Sequence, residues 1–266
     1  MILDNYHPIW ETEEHTALRE MARDFIAAEI TPHTERFAEN HEVDRKLWNK
    51  AGDNGLLLIS VPEEYGGGGA DFSHESIVLY EQGLAGDDSW GYAIHSTIVA
   101  HYLVAYGTEE QKQRWLPRLA TGELVGAIAM TEPTTGSDLK AVRTNAKRDG
   151  DDLVINGSKT FITNGTQANL VIIVARTNDQ PGARGISLVV AETDGLEGFE
   201  RGRVLGKLGA HGQDTRELSF TDMRVPYDNI LGGAEGDGKG FIQLMQQLPD
   251  AAVRLPADGR TDRAAS

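Results

Sequence analysis

The sequence predicts an α+β fold: a helical N-terminal part over 1–122, a β part over 123–236, and a resumed helix with a tail over 237–266. Three observations predict it. Apolar residues recur at three- and four-residue spacing in the first part, short apolar runs without that period fill the second, and helical spacing returns at Phe241.

In the first part, Leu18, Met21, Ala22, Phe25, Ile26 and Ile30 form one apolar stripe, and Pro32 ends or kinks that helix. Val43 to Gly52 reads as a short second helix, and Gly66 to Gly69 as a flexible loop. Ile77 to Leu84 and Ile94 to Tyr106 have helical spacing. Thr108 followed by Gln111 is a capping box that starts another helix, which Pro117 distorts and Gly122 stops. In the second part, Leu124 to Met130 reads as a buried strand. Leu153–Ile155 and Lys159–Thr163 flank Asn156-Gly157, turn chemistry that predicts a hairpin. Leu170 to Ala175, Gly185 to Ala191 and Arg216 to Phe220 are further strands. A last helix starts near Gly238 with Phe241, Leu244, Met245 and Leu248 in register. The pattern fails at Pro249–Pro256 and does not return before Ser266.

A net charge of −16, from 41 acidic and 25 basic residues, repels polyanionic backbones and anionic lipid surfaces, which argues against nucleic acid as a partner. With no cysteine, disulfides, thiolate metal sites and cysteine nucleophiles are excluded. The acidic start, MILDNYHPIWETEE, resembles neither a secretory signal nor an Arg-rich transit peptide. No apolar run approaches the ~18 residues of a membrane helix, so a cytoplasmic location is expected. The histidines are scattered and no His-Glu-x-x-His occurs, so no metal site is expected. Asn156-Gly157-Ser158-Lys159-Thr160 lacks the upstream glycine and the following helix of a phosphate loop, and no Gly-x-Ser-x-Gly elbow is present.

Two segments have more pointed chemistry. In Ala129-Met130-Thr131-Glu132-Pro133-Thr134-Thr135-Gly136-Ser137-Asp138, an apolar strand runs into hydroxyls and a proline-fixed bend. Such a strand end suits a polar heterocycle, and an ordinary strand-to-loop turn reads as well from the residues alone. In Lys159–Gly165, alternation puts Phe161 and Thr163 on one face, able to stack on a flat ring and bond its edge. A half-buried strand with an aromatic is the plainer alternative.

Both segments, in this order, resemble signatures of the acyl-CoA dehydrogenase family. Met130-Thr131-Glu132-Pro133 with Gly136-Ser137-Asp138 is similar to the first, with Thr135 where a small residue such as Ala is usual. Phe161-Ile162-Thr163-Asn164-Gly165 resembles the second, with Phe where Trp is common. Pro62–Gly67, Leu205–Gly209, Glu217–Phe220 and Arg224-Val225-Pro226 also resemble family segments, so the likeness spans Leu18 to about Leu248. The texture around Lys159 and Gln243 resembles the long-chain branch.

The resemblance implies a helical N-terminal domain, a β-barrel-like middle domain and a C-terminal four-helix domain that is absent from this chain. It implies FAD as cofactor and an acyl-CoA thioester as substrate, desaturated between Cα and Cβ, as in fatty acid β-oxidation. Electron-transfer flavoprotein is the implied electron acceptor and a homotetramer the implied state of the complete family member. By position, Thr131 would bond the pyrimidine side of the flavin, with Ile128 and Met130 against the ring. Thr163 would lie near the reactive nitrogen, Phe161 on the face away from substrate and Ile162 beside them. Ser137 would lie where cofactor and pantetheine meet. In such a reaction a carboxylate takes the α-proton and the β-hydride passes to the flavin. The family places that base in the last domain, or as Glu-Arg in the helix starting near Gly240; those two positions hold Ala251 and Ala252, so no catalytic base is assigned. The tail from about Asp250 reads as frameshifted, which another reading frame lacking Glu-Arg and amphipathic helices would refute. A non-catalytic FAD- or partner-binding module and a related flavin oxidase or monooxygenase stay open, because a fold does not fix a function.

Overall fold

The computed structural model describes residues 10–254; the tail residues 255–266 lie outside them, as do the side chains beyond Pro249. Helices α1 (Glu13–Glu29), α2 (Thr34–Asn40), α3 (Arg45–Asp53), α4 (Phe72–Leu84), α5 (Ala100–Tyr106) and α6 (Glu109–Ala120) precede the first strand. The α1 stripe buries Ala22, Phe25 and Ile26, while Met21, at the stripe's edge, is exposed. This helix packs on α4 and is clipped there by Arg19 and Arg23, which donate to the buried Glu81 carboxylate at 2.7 and 2.9 Å. The Thr108 capping box forms as its spacing implies: the Gln111 N–H donates to the Thr108 hydroxyl and the Thr108 N–H to Gln111 Oε1.

Three expectations change here. The Gly66–Gly69 segment is not a flexible loop: Gly67, Gly68, Gly69 and Ala70 N–H groups all donate back to carbonyls of 58–62. Helix α2 escaped the periodicity because Phe37 is its one buried residue. The Ile94–Tyr106 stretch is not uniform, since Ala93–Val99 is π-helical before α5 begins. Within it the Thr97 hydroxyl takes the Ala93 carbonyl at 2.7 Å, a local bond that competes with the regular helix ladder.

The β part is one curled seven-stranded sheet of β1 (Gly126–Ala129), β2 (Asn145–Asp149), β3 (Asp152–Thr163), β4 (Leu170–Arg176), β5 (Ile186–Glu192), β6 (Phe199–Val204) and β7 (Thr215–Pro226). The order is β1-β4-β2-β3-β7-β6, with β5 also on β4. Strand β4 carries an unbroken apolar run because both its faces are covered. Val171, Ile173 and Ala175 face the inside of the curl, against Leu153, Ile155, Leu218 and Phe220. Leu170, Ile172 and Val174 face the helices.

The expected hairpin at Asn156-Gly157 does not form; β3 runs straight through it. The turn lies earlier, at Gly150-Asp151, where Gly150 takes φ 66° and β2 meets β3 through Asp149 opposite Asp152. Asn156 instead braces a bulge on β7: it accepts from the Asp222 N–H at 2.9 Å and donates to the Asp222 carboxylate at 3.0 Å. Gly157 is needed for space, since a Cβ there would sit 2.4 Å from Thr144 Oγ1. Strands β2 and β6 were not anticipated, since neither has an apolar run. Helix α7 (Gly240–Arg254) starts two residues later than expected and passes through Pro249 rather than failing there. A proline inside a helix removes one ladder bond without ending it.

Two buried side chains join the helices to the sheet. His95 is fully buried; Gly126 N–H donates to its Nδ1 at 3.0 Å, so the proton sits on Nε2, which donates to the Leu119 carbonyl at 3.1 Å. Asn164 donates to the carbonyls of Gly91 and Gly126, both at 3.1 Å. Burial holds the His95 imidazole down at about 3, well under its ordinary 6.5, so it is neutral at physiological pH. Between those values the unfolded chain takes up a proton that the folded chain refuses. The stability from this group is therefore full above pH 6.5 and is lost as pH falls toward 3. His95→Gln, which offers an acceptor and a donor but does not titrate, is expected to show a shallower loss of melting temperature from pH 6.5 to 4 than wild type. Equal slopes would show that His95 is not the titrating group.

Candidate functional site

The site grows from the C-terminal end of β1. Met130 and Thr131 leave the strand half-buried, and Glu132 and Thr135 exchange backbone hydrogen bonds at 2.8 and 3.0 Å around Pro133-Thr134. The following loop is fixed from behind. The buried Thr135 hydroxyl donates to the Ala141 carbonyl at 3.2 Å, so this larger residue is accommodated. Arg176, at the end of β4, donates to the carbonyls of Val142 and Lys140 at 3.0 and 2.8 Å. Opposite the loop stands α7. Between them is a cleft of about 330 Å³ lined by Met130, Thr131 and Ser137 on one side and Phe241, Met245 and Leu248 on the other. The Lys140 ammonium lies 5.7 Å from the Phe241 ring centre.

Strand β3 adjoins this cleft through a backbone hydrogen bond, from Thr160 N–H to the Thr131 carbonyl at 2.9 Å. A bulge makes that bond available. Lys159 pairs with Leu218 and Ile162 with Arg216, so β3 holds one residue too many between them. Phe161 takes up the excess with φ 59° and turns its ring outward, 66% exposed. Thr163 stays half-buried at the strand end.

The residues singled out from sequence therefore separate. Met130, Thr131 and Ser137 share the cleft; Phe161 and Thr163 lie on the strand bonded to it. The side chains of Ile128 and Ile162 turn elsewhere. Ile128 is buried in the layer facing the helices, and Ile162, 2% exposed, in the core inside the curl. A contact of Ile162 with a ligand could use only its backbone. The hydroxyls of Thr131, Ser137 and Thr163 have no hydrogen-bond partner among the described residues.

Glu132 and Lys159 were not read as site residues, yet they underlie it. Lys159, 1% exposed, donates to Glu132 Oε1 at 3.0 Å and to the carbonyls of Met130 and Val174 at 3.1 and 2.7 Å. Glu132 also accepts from the N–H groups of Arg143 and Thr144 at 2.8 and 2.9 Å. Burial drives the Lys159 amine down to about 8. Burial also raises the Glu132 carboxyl, and the donors from Thr144, Arg143 and Lys159 more than reverse this, so it stays below its ordinary range. In sequence, a lysine between Ser158 and Thr160 looks like a surface residue. Phe241, Met245 and Leu248 were visible only as a helical stripe.

Two other features do not contribute. A larger cleft of about 460 Å³, between 40–45 and 166–201, is lined by charges of both signs and contains none of these residues. His15, Asp71 and His74 come together at the start of α4. Their rings stack at 3.9 Å, so no single ion could lie in both ring planes. His15 Nδ1 accepts from the Thr12 N–H and Nε2 donates to Ser73, which makes the cluster a helix-capping network.

Residues 12–123 match the family model "Acyl-CoA dehydrogenase, N-terminal domain" and residues 127–223 match "Acyl-CoA dehydrogenase, middle domain". The chain belongs to the acyl-CoA dehydrogenase family. Among its relatives, the mitochondrial long-chain specific acyl-CoA dehydrogenase of Sus scrofa is 47% identical over 92% of this chain. The crystal structure of an acyl-CoA dehydrogenase from Geobacillus kaustophilus is 44% identical with a TM-score of 0.91, over 96% of this chain and 67% of that one. Butyryl-CoA dehydrogenase from Megasphaera elsdenii superposes with a TM-score of 0.87 at 30% identity, over 95% of this chain and 66% of that one. The chain spans 56% of the length of the long-chain relative. No helix among the described residues is long and apolar enough to cross a membrane.

The opposed orientations of Phe161 and Ile162 are checked by truncation. Ile162→Ala is expected to cost about 2–5 kcal/mol, as a buried cavity does, and Phe161→Ala to stay within about 0.5 kcal/mol, as an exposed site does. Equal costs in urea melts would contradict the bulge.

Proposed function

We propose that these residues form the flavin-facing wall of an FAD-dependent enzyme that introduces a Cα–Cβ double bond into acyl-CoA thioesters. The observation that carries this reading is the set of three hydroxyls without a partner among the described residues, Thr131, Ser137 and Thr163, together with the outward ring of Phe161 on the strand bonded to Thr131. That set fits a flat heterocycle with polar edges: a ring to cover one face and hydroxyls to bond the rim. When bound, the flavin would supply the two-electron acceptor for the substrate's β-hydride.

The chain's own residues bind and orient. The Thr131 hydroxyl would bond the pyrimidine side of a bound flavin and Thr163 would lie near its reactive nitrogen. Phe161 would cover the face away from substrate. Ser137 would lie where cofactor and pantetheine meet. Met130 and the α7 residues Phe241, Met245 and Leu248 give the cleft the apolar lining that an acyl thioester needs. A relative's structure titled as a complex with FADH2, and another titled as a glutaryl-CoA complex, support flavin and thioester as the ligand classes. Electron-transfer flavoprotein is the proposed acceptor, in keeping with a similar structure whose title describes that system. A cytoplasmic location, a homotetramer for the complete family member and the domain limits 1–122, 123–236 and 237–266 belong to the same proposal.

Removal of the α-proton needs a carboxylate, and the two positions that carry Glu-Arg in one family branch are Ala251 and Ala252 here. The 266 residues therefore supply cofactor wall and substrate cleft but no base. The test is anaerobic addition of FAD and then a long-chain acyl-CoA to the 266-residue chain. The expected outcome is a perturbed flavin absorbance band that does not bleach. Bleaching would reveal a working base within these residues. An unperturbed spectrum at high FAD concentration would remove the flavin reading.

A further inference from the structure

Building on the flavin reading, we propose that Glu132 and Lys159 are positioning residues that lock the two flavin-facing segments, 130–131 and 160–163, into one surface. Neither side chain faces the cleft; each acts through backbone. The Lys159 ammonium gathers three oxygens that belong to three separate pieces of chain. They are the Met130 carbonyl beyond β1, the Val174 carbonyl on β4 and the Glu132 carboxylate in the loop. Lys159 itself sits directly before the bulge that frees the Thr160 N–H to bond Thr131. The carboxylate of Glu132 extends the lock outward, because its other bonds are to the N–H groups of Arg143 and Thr144, which close the loop carrying Ser137. The pair thus fixes the backbone on both sides of Thr131 and closes the loop carrying Ser137 while touching neither hydroxyl.

The geometry also distinguishes positioning from simple core stability. An apolar pair of similar volume can replace a buried ion pair without loss of stability. It cannot bond the carbonyls of Met130 and Val174. Replacing both residues removes the stranded carboxylate that Lys159→Met leaves, so the double variant should melt above that single variant, although the N–H groups of Arg143 and Thr144 lose their acceptor and the surface is not restored.

The experiment uses the 266-residue chain and three variants: Lys159→Met, Glu132→Gln and the double Lys159→Met/Glu132→Met. Each is measured by thermal melting, by FAD titration and by amide hydrogen exchange at Thr160, with Ile172 as an internal reference. Glu132→Gln keeps the side-chain volume and an oxygen for Lys159, so it stays folded if Lys159→Met does not. Expected are at least tenfold faster exchange at Thr160 in Lys159→Met, unchanged exchange at Ile172, and at least tenfold weaker FAD binding in both single variants. The double variant melts above Lys159→Met while its FAD affinity stays low. Single variants with wild-type affinity and Thr160 protection would overturn the proposal, as would a double variant that regains both. A wild-type chain that binds no FAD would remove the flavin reading alone. Exchange at Thr160 then decides the lock: faster in Lys159→Met upholds it, and unchanged overturns it.

Discussion

An ammonium group inside a protein must find oxygen on every side, and Lys159 does so where strand, sheet and loop converge. Desolvating one ion costs several kcal/mol, so the cost is tolerable only if the partners are already in place. This makes the pair with Glu132 a geometric condition as well as a bond: the backbone at Met130, Val174 and Glu132 has to arrive together or the charge is stranded. The loop that carries Ser137, the exit of β1 and the bulge in β3 are all placed by that condition. The side chains proposed to face the ligand, by contrast, can be exposed or half-buried because none of them holds the fold together.

The junction of helices and sheet uses the same principle with neutral groups. His95 and Asn164 each satisfy two backbone groups from different elements, and both meet at Gly126, the first residue of β1. A neutral imidazole avoids the desolvation cost of a charge, and burial keeps it neutral. One end of β1 is therefore tied by amide and imidazole, the other by ammonium and carboxylate. The short strand is held at both ends, which suits an element whose exit carries Met130 and Thr131.

What was legible in the sequence follows from which residues carry local signals. Helix α6 was readable because Thr108 and Gln111 cap within four residues, and β4 because an unbroken apolar run has few other uses. Asn156-Gly157 misled because the same turn chemistry serves a bulge, and only Asp222, 66 residues away, decides between them. Strand β2, between β4 and β3, and strand β6, at the sheet edge, are polar strands whose pairing is set by partners and not by their own residues. At the site, Met130, Thr131, Ser137, Phe161 and Thr163 were named by their resemblance to family segments, since the residues alone read as well as an ordinary turn and a half-buried strand. Glu132 and Lys159 were not, since nothing local marks either as buried. Ile162 was grouped with its neighbours only through the family resemblance; alternation already sets it opposite Phe161 and Thr163, and its burial inside the curl agrees.

The bulge in β3 bears most directly on how the surface proposed for a planar ligand arises from a sheet. A regular strand spends each N–H and C=O on its neighbours and alternates its side chains, so it presents either a core face or a solvent face. One extra residue in β3 interrupts both habits at the same point. Thr160 gains a free N–H that reaches across to Thr131, and Phe161 is turned out of the pleat while Lys159 and Thr160 are buried in succession. Positive φ at Phe161 costs of order 1–3 kcal/mol for a non-glycine residue. The surrounding hydrogen bonds, with the buried ion pair adjacent, are what hold the residue there. The irregularity and the ion pair are then two halves of one device, the first redirecting the backbone and the second keeping it redirected.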